Sequence, residues 1–71
     1  MVKKVRDVVR ILEDNGFVLD RQKGTSHRQY EGFIGGRRRL VTVVGGRNED
    51  IPDGTLGSIV RQSGLGKKLF R

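Results

Sequence analysis

Val5, Val8, Val9 and Leu12 stand at i, i+3, i+4 and i+7, the spacing of one apolar stripe on a helix. Ile11 widens the stripe, and Asn15-Gly16 supplies the stop, since glycine accepts the left-handed backbone that many helix ends need. No Ser, Thr, Asp or Asn stands immediately ahead of the stripe, so the start is unmarked. From Phe17 the period changes to two. Phe17 and Leu19 share one face, Val18 and Asp20 the other, and Arg21-Gln22-Lys23 carries the strand outward.

Gly24-Thr25-Ser26 reads as a turn. The run 27–34 is a second strand, with Arg28, Tyr30, Gly32 and Ile34 on one side and His27, Gln29, Glu31 and Phe33 on the other. Gly35-Gly36 makes a tight reversal into a third strand, 38–44, with a β-branched centre at Val41-Thr42-Val43-Val44. A loop over 45–50 and Ile51-Pro52-Asp53-Gly54 lead to a second helix. Leu56, Ile59 and Val60 form its stripe, Gly64 its stop, and Asp53 or Thr55 its expected cap. Residues 65–71 read as a short, loosely held basic tail in which Leu65, Leu69 and Phe70 offer apolar anchors.

The fold class that follows is α+β. It is a small α-β-β-β-α domain over 1–71, with a three-stranded antiparallel sheet and two helices on one face. That is the architecture of a double-stranded-RNA-binding domain. The other sheet face is left open, with the arginines on it or around its rim.

Composition narrows the function. The chain has 71 residues and no cysteine, which excludes disulfides and thiolate metal sites and fits a reducing compartment. The opening Met1-Val2-Lys3-Lys4-Val5-Arg6-Asp7 is too polar for a signal peptide, and no apolar run has membrane-span length. A cytoplasmic protein is the expectation. Net charge is +7, and the sequence pI is about 10.9. Four basic and four acidic side chains cancel within residues 1–20, so the whole excess lies in 21–71. Such a surface attracts polyanions, and nucleic acid is the leading one.

His27 is the single histidine, set between a glycine-containing turn and Arg28. An imidazole changes charge near neutral pH, so it suits removal of a proton from a ribose 2′-hydroxyl. Nearby arginines and lysines would stabilise the charge that builds on phosphorus. The proton donor is left open between His27 itself, Tyr30, a lysine and water. No metal or other cofactor is expected, because no ligand cluster is present to hold one. Lys23, Arg28 and the run Arg37, Arg38 and Arg39 are candidate phosphate contacts, with Arg38 facing away from the other two. Gly24 and Ser26 offer turn backbone N–H groups to a phosphate, and Tyr30 fits either RNA contact or packing. Arg47, Lys67 and Lys68 are weaker candidates. Phe17 and Phe33 read as core or sheet packing.

The segments Val5 to Phe17 with its Asn-Gly-Phe turn, Gln22-Lys23-Gly24-Thr25-Ser26-His27-Arg28-Gln29-Tyr30, Val41-Thr42-Val43, Pro52-Asp53-Gly54-Thr55-Leu56 and Gln62-Ser63-Gly64-Leu65 occur in that order. Together they resemble the HicA family of toxins over nearly the whole chain. The resemblance implies a metal-independent endoribonuclease that cleaves messenger RNA and arrests translation. It assigns His27 as the catalytic acid/base, with Gly24 and Ser26 as the pair before it. It also implies a HicB-type antitoxin that masks the histidine in a hetero-oligomer. Thr25 stands where glycine is common in the family. Gly45-Gly46-Arg47 stands where many members carry a histidine. Two other readings compete: a non-catalytic module for double-stranded RNA, and an interaction subunit whose basic surface meets an acidic protein.

Overall fold

The computed structural model describes residues 3–24 and 26–70. A short strand β1 (Lys3–Lys4) runs straight into helix α1 (Val5–Asp14). Val5, Val8 and Leu12 are buried and Val9 and Ile11 pack at their margin, as the stripe requires. The unmarked helix start has a long-range explanation. The Val5 N–H donates to the Glu49 carbonyl (2.9 Å) and the Arg6 N–H to the Arg47 carbonyl (3.1 Å). A distant loop thus satisfies donors that a local cap would otherwise take. Asp7 reaches back to the Lys4 N–H (3.3 Å). The C-terminus closes at Gly16, whose φ of +88° suits glycine, and the Phe17 N–H returns to the Leu12 carbonyl (3.0 Å).

Strands β2 (Val18–Lys23), β3 (His27–Ile34) and β4 (Arg37–Val44) form an antiparallel sheet in the order β2-β3-β4. Gly35 and Gly36 both have positive φ, +62° and +76°, which a two-residue type I′ hairpin demands. One sheet face lies under the helices. Tyr30, Val41 and Val43 on that face join Val5, Val8, Leu12, Phe17, Ile51, Ile59 and Phe70 in the core. Phe17 covers Gly32: a Cβ there would stand 2.8 Å from the ring.

The sequence period breaks inside β2. The register shifts between Leu19 and Arg21, placing a bulge at Asp20. Strict alternation would put Leu19, Arg21 and Lys23 on one face. With the bulge, Leu19 pairs with Tyr30 on the helix side, while Arg21 pairs with Gln29 and Lys23 with His27 on the open side.

A small strand β5 (Asp50–Ile51) pairs antiparallel with β1 and is joined to it by the Lys4–Asp50 ion pair (2.8 Å). Helix α2 spans Asp53–Ser63. Pro52, rather than Asp53 or Thr55, holds its N-cap position, with no side-chain cap. Gly64 ends it in the left-handed conformation, and the buried Ser63 hydroxyl donates to the Val60 carbonyl and accepts the Leu65 N–H. The tail is tied down: Lys67–Phe70 forms a 3-10 turn, and Phe70, 3 % exposed, is part of the core. Its apolar anchors win over its charge.

Candidate nucleic-acid interface

The open sheet face is organised in rows across the strands. Lys23, His27 and Val44 form the end row, and Arg21, Gln29 and Thr42 the next. His27 is exposed. Lys23, Arg21, Gln29 and Thr42, with Arg28 at the rim, enclose a shallow depression of about 220 Å³ beside it. One imidazole therefore shares a concave surface with three cations, one of them at the rim, and two hydrogen-bonding side chains. A phosphodiester seated there would meet a proton acceptor and positive charge together. Among the described residues, no group of three or more His, Asp or Glu is placed to hold a metal ion.

The turn ahead of β3 is pinned at both sides. The Ser26 carbonyl accepts the Gly45 N–H (2.9 Å), and Gln22 Nε2 donates to the Gly24 carbonyl (3.2 Å). Gly24 is exposed with φ +64°, and Ser26 is half-buried. Thr25, whose substitution for glycine marks this turn, lies outside the described residues.

Other expected contacts sit elsewhere. Arg28 falls on the helix side of β3, across the sheet from His27, because adjacent strand residues face opposite ways. Tyr30 is 4 % exposed and belongs to the core, on the helix side of β3 and away from His27. Burial raises its hydroxyl pKa from the ordinary 10.0; Arg28 and Arg47 pull it down and Glu13 pushes it up.

The arginine run lies at the far end of the sheet. β3 has eight residues, and at about 3.3 Å per residue its ends are roughly 23 Å apart. Arg37 pairs with Ile34 there, while His27 pairs with Val44 at the opposite end. As expected, Arg38 faces away from Arg37 and Arg39. Its guanidinium donates a hydrogen bond to Glu31 and is ion-paired with it; first that bond and then the carboxylate charge raise its pKa. Arg39 lies along the C-terminus of α2: a Cβ on Gly64 would stand 2.9 Å from the guanidinium carbon. Its Nε is buried without a partner among the described residues. Arg39 is thus a packing residue, and the three arginines do not act as one cluster.

The open face also carries apolar side chains that the sequence reading missed or placed inside. Phe33 is 68 % exposed, and Val18, Leu40 and Val44 are exposed with it. Phe33 reads from the sequence as core or sheet packing; alternation from His27 puts it on this face, and the register keeps it there, out of the core.

A protein-family model described as the HicA toxin of bacterial toxin–antitoxin systems matches residues 5–65. Searches of curated proteins and of solved structures returned no match. No helix among the described residues is long and apolar enough to cross a membrane.

Proposed function

Because the chain belongs to the HicA toxin family of toxin–antitoxin systems, we propose that it is a metal-independent endoribonuclease acting on messenger RNA in the cytoplasm. His27 is its catalytic acid/base. What carries the reading is one row of the sheet, in which Lys23 is the register partner of an exposed His27.

The imidazole accepts the proton of a ribose 2′-hydroxyl. The 2′-oxygen bonds to the adjacent phosphorus, and the bond from phosphorus to the 5′-oxygen breaks. The leaving 5′-oxygen takes a proton from the imidazolium or from water. The products are a 2′,3′-cyclic phosphate and a 5′-hydroxyl. Lys23 and Arg21 offset the charge that develops on the phosphate oxygens, and Gln29 and Thr42 orient the RNA strand by hydrogen bonds. Gly24 and Ser26 shape the turn that carries His27, and Arg37 is a remote backbone contact.

The same face explains neutralisation. A HicB-type antitoxin that covers Val18, Phe33, Leu40 and Val44 takes exposed apolar area out of water and closes over His27. The reading is tested by inducing wild type and His27→Ala from a tight promoter, with growth and intact messenger RNA followed over time. Wild type should stop growth and lose RNA, and His27→Ala should do neither. Growth arrest with RNA loss from both proteins overturns it.

A further inference from the structure

A second basic depression lies on the opposite side of the sheet. It measures about 240 Å³; Arg6, Arg28, Arg47, Gln22 and Glu13 are its polar walls, and Tyr30 lines it together with the apolar Val9 and Leu19. Three arginines meet one carboxylate there, so the pocket is net positive. Its parts come from α1, β2, β3 and the loop before β5, and the fold fixes their approach. The Arg6 N–H is held by the Arg47 carbonyl, and the Arg6 guanidinium donates to Asn48 Oδ1. The side chains of Arg28 and Arg47 have no hydrogen-bond or ion-pair partner among the described residues. Bringing three guanidinium groups together is electrostatically unfavourable unless an anion offsets it. Glu13 supplies only one negative charge.

Arg28 lines both this pocket and the depression beside His27. The two sites therefore meet at the same end of the sheet, separated only by β2 and β3. β2 is an edge strand exposed along its whole length, so nothing on it obstructs a strand that passes from one face to the other. We propose that the Arg6–Arg28–Arg47 pocket binds a second backbone phosphate of the same RNA, so that the strand wraps the β2 edge with one phosphodiester at His27 and another behind the sheet. This inference rests on the ribonuclease reading for the identity of the ligand. Arginine suits the role because its planar fork pairs with phosphate oxygens bidentately.

The test is a binding measurement, made in a His27→Ala background so that RNA stays intact. Fluorescence anisotropy with a labelled single-stranded RNA would be recorded over a series of salt concentrations. Adding Arg47→Gln should weaken binding about three- to tenfold. It should also make the slope of log affinity against log salt shallower by about 0.7, the contribution of one phosphate on a single strand. Adding Glu13→Gln instead should tighten binding about two- to threefold, a gain that damage to the fold would not produce. Unchanged affinity and salt slope in Arg47→Gln would overturn the proposal. If His27→Ala still cuts RNA, the ribonuclease reading falls, while the salt slope of Arg47→Gln still reports on the pocket.

Discussion

Lys23 and His27 face each other directly across β2 and β3, on the open side of the sheet. The bulge at Asp20 makes this pairing, because it resets the alternation of β2 just before Arg21. The ammonium is therefore a built neighbour of the imidazole rather than a chance surface charge. Lys23→Gln keeps a polar side chain only one bond shorter but removes the charge. It should lower kcat/KM for RNA cleavage by about tenfold, corresponding to roughly 1.4 kcal/mol of transition-state stabilisation. Thermal stability should stay near wild type, because Lys23 is exposed. An unchanged kcat/KM would remove Lys23 from the site.

Gly32 has no room for a side chain. A methyl group there would stand 2.8 Å from the Phe17 ring, and Phe17 is a core residue that cannot swing into solvent without opening the core. Gly32→Ala should cost about 1–3 kcal/mol through overpacking. For a domain of this size each kcal/mol lowers the Tm by about 4–8 °C. Gly35→Ala is a useful contrast. Its Cβ meets open space but its φ is positive, so any loss there is a turn effect. A Gly32→Ala protein with wild-type Tm would show that Phe17 does not close over this position.

Tyr30 predicts an alkaline response. Burial raises its hydroxyl pKa from the ordinary 10.0, so the folded chain holds this proton more tightly than the unfolded chain does. Stability from this group is complete below the unfolded value and falls as pH rises from there through the folded value. Between pH 8 and 11 the Tm of wild type should drop more steeply than that of Tyr30→Phe, with the divergence starting near pH 10. Parallel curves would contradict the assignment.

Phe33 stands on the same open face as His27 with two-thirds of its surface in water. If the antitoxin closes over this face, Phe33→Asp introduces a charge that must be desolvated on binding. Antitoxin affinity, measured by calorimetry, should fall at least tenfold. An unaffected affinity would place the antitoxin elsewhere.

Much of this fold is legible in the sequence because local rules and tertiary packing agree. The stripe of Val5, Val8 and Leu12 is the buried stripe, and Gly35-Gly36 is the hairpin. The failures share one cause, which is non-local structure. The α1 start is capped by carbonyls more than forty positions away in the chain, at Arg47 and Glu49, so no neighbouring residue announces it. The β1–β5 clasp needs residues 3–4 beside 50–51, and two-residue strands carry no readable period. The tail reads as basic, yet Phe70 finds space against the core. The candidate site was legible in His27 and Lys23. Strand alternation already puts Arg28 and Tyr30 on the side opposite His27, and the register keeps them there; what alternation does not show is that Tyr30 is sealed into the core. Alternation already splits Arg38 from Arg37 and Arg39; what it does not show is that Arg38 pairs with Glu31 and that Arg39 packs along Gly64.

The most direct test of the central claim uses purified protein and an end-labelled RNA, with wild type and His27→Ala compared over time. The RNA would be offered intact and with a 2′-deoxyribose at the cleavage position. The account predicts that wild type cuts only the intact RNA and leaves a 2′,3′-cyclic phosphate. His27→Ala should be slower by about 10²–10⁴-fold, the usual worth of a general acid/base, with an unchanged circular dichroism spectrum. Cleavage by His27→Ala at the wild-type rate, or cleavage of the deoxy-substituted RNA, would contradict it.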